Sequence, residues 1–243
     1  MTPLFLLGDC LQRMDEIPSG SVDLILSDPP YGTTNAKWDT QLNLTAMWGQ
    51  YKRVLKENGA VLLFAQTPFD KVLGCSNLPW LRYEIIWEKT EATGHLNAKK
   101  MPMKAHENIL VFYGCLPTYN AQKTVGHIRK TALRVDRAKK QSELYGAQAG
   151  TTSYDSTERY PRSVLRFSTD KQRERYHPTQ KPVALVEWLI KTYSNPGETV
   201  LDNCMGSGTT AVAAKRTGRR FIGIELDSAL ISVAQRRVGE LSI

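Results

Sequence analysis

A carboxylate, two prolines and a phenolic ring stand in one row at SDPPYG, residues 27–32. The apolar run 22–26 precedes them, so a buried strand is expected to end in Asp28-Pro29-Pro30-Tyr31. Two consecutive prolines remove two backbone donors and hold the chain extended. The stiff turn therefore presents one acid and one aromatic ring side by side. Those groups suit a flat, amino-bearing base, held against carboxylate and ring while a group is transferred to it.

The second chemical stretch is VLDNCMGSGTT, residues 200–210. A short apolar run leads into Asp202, then Gly206-Ser207-Gly208, then a helical pattern. The two glycines permit a tight turn and close approach of backbone to a ligand. A helix N-terminus behind them favours an anionic group or a carboxylate. The following run ends in FIGIELD, which places Glu225 about 20 residues past the glycines, where an acid can accept both hydroxyls of a ribose. A nucleoside-containing cofactor is expected. No GxxxxGK[ST] occurs, and Ala211 stands where a dinucleotide fingerprint has its third glycine. Spacing alone leaves a nicotinamide cofactor and S-adenosylmethionine both open.

Elements that could position these turns recur along the chain. Apolar runs at 4–7, 22–26, 60–64, 83–87, 109–113, 199–201 and 221–224 read as strands. They are continuous rather than alternating, the mark of strands covered on both faces and hence of a mostly parallel sheet. Helical periodicity appears at 44–56, with Met47, Tyr51, Val54 and Leu55 on one side and Asn58-Gly59 as its stop. It returns at 183–193, with Val186, Leu189, Ile190 and Tyr193 inward, and at 208–216. Asp227 can cap a last helix with the stripe Leu230, Ala234, Val238, Leu241. One α/β domain is expected over 1–114 and 177–243, interrupted by a polar segment at 115–176.

That segment carries most of the charge. The chain of 243 residues has a formal charge of +8, and 115–176 holds thirteen Lys and Arg against six acids. A phosphate-facing insertion is the sharper reading of such a bias. Hydrophobic residues at 41% and charged residues at 23% are ordinary for a globular protein. No apolar stretch approaches the roughly 20 residues that cross a bilayer. MTPLFLLGDC lacks a basic start and a small-residue cleavage site, so it reads as a strand and not as a leader. Cys10, Cys75, Cys115 and Cys204 form no CxxC pair, and His95, His106, His127 and His177 are scattered, so no metal is expected and a reduced, cytoplasmic protein is.

DPPY together with the glycine turn resembles the amino-group DNA methyltransferases, which make N6-methyladenine or N4-methylcytosine. The order here, DPPY half first, basic segment second and glycine half last, resembles the circularly permuted β group of that family. The resemblance spans nearly all of the chain outside 115–176. It implies a Rossmann-like, S-adenosylmethionine-dependent methyltransferase fold: a mixed seven-stranded sheet with one antiparallel strand and helices on both faces. It implies that LGDC brings Asp9 and Cys10 to the adenine end of the cofactor. HPTQKP, with Thr179 and Lys181, would close over its methionine part. Asp202, Asn203, Gly206, Ser207, Gly208 and Thr209 would hold the methionine end, and Glu225 with Leu226 the ribose. Asp28 would count on both the cofactor and the catalytic side, with Pro29, Pro30 and Tyr31 completing the catalytic turn. The partner implied is double-stranded DNA gripped by the insertion 115–176. The family often forms dimers, which makes a homodimer an expectation.

The chemistry follows from the residue types. An exocyclic amino nitrogen is a poor nucleophile because its lone pair is shared with the ring. Asp28 and the Pro29 carbonyl can each accept one of its N–H groups and free that lone pair, and the carboxylate stabilises the positive charge that develops. The base must leave the stack to be reached, and Tyr31 would cover its face. DPPY rather than SPPY favours adenine by family tendency, with N4-cytosine as the alternative. Two other classes fit parts of the sequence. RNA-guanine and protein-glutamine methyltransferases carry a related Pro-Pro-Tyr turn, normally after their glycine motif. A DNA-binding module without catalysis fits the basic segment alone. His177 reads as a loop terminus, and Trp38 and Trp87 as packing residues, with a flap over the base as the other reading of 37–39.

Overall fold

The computed structural model describes residues 2–36, 38–135, 141–142, 146–147, 151–169, 176 and 179–241. Lys37, His177 and part of the basic segment therefore lie outside the described residues. In chain order the elements begin β1 (Leu4–Leu7), α1 (Cys10–Arg13), β2 (Val22–Ser27), α2 (Leu44–Val54), β3 (Leu55–Ala65), α3 (Phe69–Cys75), β4 (Leu81–Thr93) and β5 (Lys104–Phe112). Four short strands follow: β6 (Lys130–Val135), β7 (Gln141–Ser142), β8 (Gly146–Ala147) and β9 (Thr151–Ser156). The last part holds β10 (Val164–Phe167), α4 (Val183–Tyr193), β11 (Thr199–Asp202), α5 (Thr209–Arg216), β12 (Arg220–Glu225) and α6 (Ser228–Gly239).

Eight strands form one sheet in the order β1-β12-β11-β2-β3-β5-β4-β10. Only β5 runs against its neighbours; every other pairing in the sheet is parallel. The expected single antiparallel strand is present, but the sheet has one strand more than the seven expected. The extra one is β10, which lies within 115–176 and pairs in parallel with β4, Leu165 opposite Trp87. The chain accordingly divides into one unit of Met1–Asn120 with Ser163–Ile243 and a second of Ala121–Arg162, narrower than 115–176. In the second unit β6 and β9 form an antiparallel pair, and Arg129 binds both oxygens of Asp155 at 2.7 and 2.5 Å. Lys123 pairs with Glu158 at 2.9 Å, so part of the basic charge is neutralised within this unit.

Why the central strands read as mostly apolar runs is visible in β2, all six residues of which are buried. Leu24 and Leu26 pack on one face with Leu185 and Leu189 of α4 and Val212 of α5, whereas Ile25 packs on the other with Met47 and Tyr51 of α2. Successive side chains point to opposite faces, and both faces are covered. Each such leucine or isoleucine is worth roughly 1.5–3 kcal/mol of burial. Helix α4 matches its expected span, with Val186, Leu189, Ile190 and Tyr193 all buried. In α6 the buried row is Ile231, Ala234, Arg237 and Val238, so Ile231 and not Leu230 leads the stripe.

The expected end of α2 at Asn58-Gly59 is a correction. The helix stops at Val54, because Leu55 is extended and pairs with Val22. The register then jumps to Leu24 opposite Ala60, so residues 56–59 form an irregular bulge inside the strand. Gly59 is needed there for space: a Cβ would lie 2.7 Å from the Leu55 side chain and 3.0 Å from the Asp23 carbonyl.

Candidate active site

The two chemical turns are brought together by one strand pairing. β2 and β11 are parallel neighbours, Leu24 opposite Val200 and Ile25 opposite Leu201, so their C-terminal ends fall side by side. There the Ser27 hydroxyl donates to Asp202 Oδ1 at 2.8 Å, across 175 positions of sequence. Crevices at the carboxyl ends of parallel strands are where open α/β sheets bind ligands. A cleft of about 1290 Å³ opens here, and the DPPY turn and the glycine turn both line it. Every residue singled out above from sequence as a site residue lines it too, except Gly208. Gly208 sits behind the turn at φ 80°, where a Cβ would come within 2.5 Å of the Ala234 Cβ. Its role is to let α5 begin close against α6.

On the DPPY side, Asp28 has two partners. The Tyr31 hydroxyl donates to Oδ1 at 2.6 Å, and the Lys181 ammonium donates to Oδ2 at 2.6 Å. Two of the four lone-pair positions of the carboxylate remain for a further donor. The Tyr31 ring stacks on Phe69, 5.1 Å between centroids at 22°, and lines the cleft. Burial and the adjacent Asp28 push the Tyr31 hydroxyl well above the ordinary tyrosine range, so it stays a donor. Lys181 also meets Glu107 Oε2 at 3.1 Å, and Glu107 Oε1 pairs with Lys89 at 2.5 Å. Burial opposes the charge on Lys181, but Asp28 and Glu107 beside it raise its pKa to about 12. Burial would likewise raise Glu107, yet Lys181 and Lys89 hold it below the usual carboxylate range. Lys181 thus sits on the Asp28 carboxylate, a contact that its expected cofactor role did not include.

Asp39 fixes the turn from beneath. Its Oδ1 accepts the N–H groups of Tyr31 and Gly32 at 2.7 and 2.8 Å, and its Oδ2 those of Thr33 and Thr34 at 2.9 and 2.7 Å. Burial favours its neutral form, but the hydrogen bonds from Thr34 and from the backbone of residues 32–34 keep it below the usual range. Trp38 next to it is 51% exposed and lines the cleft, so the packing role expected for it is wrong; Trp87, 2% exposed, does pack. We expect Asp39→Ala to lower stability by about 2–3 kcal/mol, a few charge-assisted bonds partly replaced by water, and to slow any chemistry that uses Tyr31. Thermal melting and a rate assay check both.

On the glycine side, the Gly206 N–H donates to Glu225 Oε2 at 2.9 Å, and Glu225 Oε1 accepts from Leu226 and Asp227 at 2.8 and 3.0 Å. Gly206 is at φ 51°, and a Cβ there would meet nothing within 4 Å, so ligand can approach the backbone. Asp202 is buried, accepting from Ser27 and from the Cys204 N–H on Oδ1 and from the Thr210 hydroxyl at 2.6 Å on Oδ2. Burial raises its pKa to about 6 against those bonds. Asn203 accepts from the buried Tyr51 hydroxyl at 2.6 Å. Asp9 caps α1 through Leu11 and Gln12, and it is also one of the residues that line the cleft. An acid-lined cleft with an open glycine cradle fits a nucleoside that carries a cationic sulfonium.

Residues 22–236 match the family model described as DNA methylase, of the N6/N4 type. The chain belongs to the DNA methylase family. The DNA adenine methyltransferase YhdJ of Escherichia coli (strain K12) is 33% identical, over 95% of this chain and 81% of that protein. The type II methyltransferase M1.MboII of Moraxella bovis is 30% identical, over 97% of this chain and 96% of that protein. The crystal structure of the M1.HpyAVI–SAM complex superposes with a TM-score of 0.63 at 22% identity, over 97% of this chain and all of that one. The methyl donor of this DNA methylase family is S-adenosylmethionine. Among the described residues of this DNA methylase no helix is long and apolar enough to cross a membrane.

Glu107 and Lys89 were not singled out from sequence, and Asp39 entered only as part of the flap reading of 37–39. Glu107 carries the only hint, an acid two residues before the apolar run 109–113 of a covered strand.

Proposed function

We propose that this DNA methylase transfers a methyl group to the N6 amino nitrogen of an adenine flipped out of duplex DNA. The observation that carries the reading is the Ser27–Asp202 bond, which seats the DPPY carboxylate and the glycine turn on one cleft. Asp9 would hold the cofactor adenine, Glu225 its ribose, and Asp202 with residues 203–209 its methionine end. When bound, S-adenosylmethionine supplies an electrophilic methyl on sulfur. Asp28 accepts one amino N–H of the base and the Pro29 carbonyl the other, which frees the nitrogen lone pair. The fixed carboxylate then stabilises the developing positive charge, and the departing proton goes to Asp28 or to water. Tyr31 backs the base and keeps Asp28 oriented. The target-recognition role belongs to the insertion within 115–176, with phosphate contacts from its basic side chains.

Adenine is favoured by an aspartate at position 28 and by the name of YhdJ; cytosine N4 is the alternative within the same family model. Methyl-labelled cofactor incubated with duplex DNA, RNA and protein tests the substrate class. Label in duplex DNA is expected, and label confined to RNA or protein overturns the reading. A homodimer in the cytoplasm completes the proposal, and sedimentation velocity checks the first part by returning twice the 27.3 kDa chain mass.

The Asp202 carboxyl gives the reading a pH signature. A cationic donor prefers it ionised, so cofactor affinity should fall as pH drops through about 6. The stability effect has the opposite sign. A pKa raised above the unfolded value means the native state gains protons first, so this group adds stability as pH falls from about 6 toward 3.8. Asp202→Asn should weaken cofactor binding, without lowering the melting temperature, and remove this pH dependence. Calorimetric titration between pH 5 and 8 is the check.

A further inference from the structure

Three charged side chains lie in a row behind the DPPY turn: Lys89 on β4, Glu107 on β5 and Lys181 just before α4. Their side chains are only 8%, 7% and 10% exposed. Glu107 Oε1 is 2.5 Å from Lys89, and Glu107 Oε2 is 3.1 Å from Lys181, whose ammonium then reaches Asp28 Oδ2 at 2.6 Å. Each ammonium also sits over a ring, Lys89 Nζ over Trp87 and Lys181 Nζ over Phe64, each 5.1 Å from the centroid. Replacing such a buried charged cluster by apolar groups is usually neutral or stabilising, so stability does not explain it. The row ends on one atom group, the Asp28 carboxylate.

We propose that Glu107 is a positioning residue for methyl transfer, clamping the Lys181 ammonium onto Asp28 so that the carboxylate is held in place and aimed at the target amino group. The inference rests on the function proposed above. It moves Lys181 from the cofactor side of the site to the target-amine side. Charge balance gives the reason for both lysines. Asp28 must face a nitrogen that becomes positive, so a lone ammonium on its far oxygen would oppose the reaction. Glu107 offsets that ammonium, and Lys89 offsets the second oxygen of Glu107. The four groups alternate in sign and sum to zero. Without Glu107, two lysines face each other and the one on Asp28 is displaced.

Single-turnover transfer to duplex DNA, measured beside cofactor Kd by calorimetry, tests this. Glu107→Gln keeps the shape and removes the charge. We expect the transfer step to slow about 10²-fold, as for other small misplacements of a reacting group, with cofactor Kd unchanged. Lys181→Met should behave alike, and the Glu107→Gln/Lys181→Met pair should be no slower than the worse single variant, because the residues act as a unit. Transfer at the parent rate, a loss that lies in cofactor Kd, or multiplied losses in the pair would each overturn the proposal. A triple variant, Lys89→Met/Glu107→Leu/Lys181→Met, guards against misfolding. It should melt no lower than the parent, bind cofactor and still transfer slowly, and parent-like transfer by it overturns the clamp. If the parent protein itself leaves DNA unmethylated, the functional reading has failed instead.

Discussion

Asp28→Ala should lower the rate of methyl transfer to DNA by about three orders of magnitude while leaving cofactor affinity close to that of the parent. Removing one preorganised group at developing charge typically costs 10²–10³ in rate, and this variant loses more than one contact. The acceptor proposed for the amino N–H disappears, the Tyr31 hydroxyl loses its partner, and Lys181 keeps Glu107 as its remaining carboxylate partner. The cofactor contacts proposed for Asp9, Asp202 and Glu225 are untouched, so binding and chemistry should separate cleanly. Asp28→Asn gives the graded case. Its amide oxygen still accepts a hydrogen bond but carries no charge, and an intermediate loss is expected. Single-turnover rates with calorimetric Kd values read both variants.

Glu225→Ala should do the reverse, weakening cofactor binding by about 10²–10³-fold with little change in the transfer rate at saturating cofactor. Two hydroxyl bonds to a carboxylate are each worth about 1.5–3 kcal/mol, and a tenfold change is about 1.4 kcal/mol. The variant also frees the Gly206 N–H, which Glu225 Oε2 holds at 2.9 Å, and the Leu226 and Asp227 N–H groups on Oε1. The glycine turn then loses the anchor that shapes it. Glu225→Gln keeps one acceptor oxygen and should fall between. A loss confined to saturating rate would mean that the acid serves chemistry rather than binding.

How much of this could be read from the chain depends on where each contact comes from. Strands β2, β11 and β12 were legible because they are largely covered, which writes a mostly apolar run into the sequence. Helix α4 was legible to the residue because Pro182 stands at its start and one face is wholly buried. The two turns were legible because their residue types are unusual. Their meeting was not, since it is made by the pairing of β2 with β11, strands far apart in sequence. Asp39 was hidden for a different reason. Its partners are four backbone N–H groups, which no side-chain pattern announces. Lys89 and Glu107 lie on the paired strands β4 and β5 and look ordinary alone, whereas Lys181, just before α4, was noticed only for the cofactor. Strand β10 was missed because it is short and alternates in burial, and its polar, basic surroundings read as insertion. The end of α2 was misplaced because Asn-Gly is a helix stop in most settings and here is a bulge that clears Leu55.

The central claim is that the carboxylate at position 28 acts on a DNA amino group from a cofactor held by the late glycine turn. Nucleoside analysis of duplex DNA treated with S-adenosylmethionine and either the parent protein or Asp28→Ala tests it most directly. N6-methyladenine from the parent and none from the variant is the expected result. Unmodified DNA from the parent, or equal modification by both proteins, would contradict it.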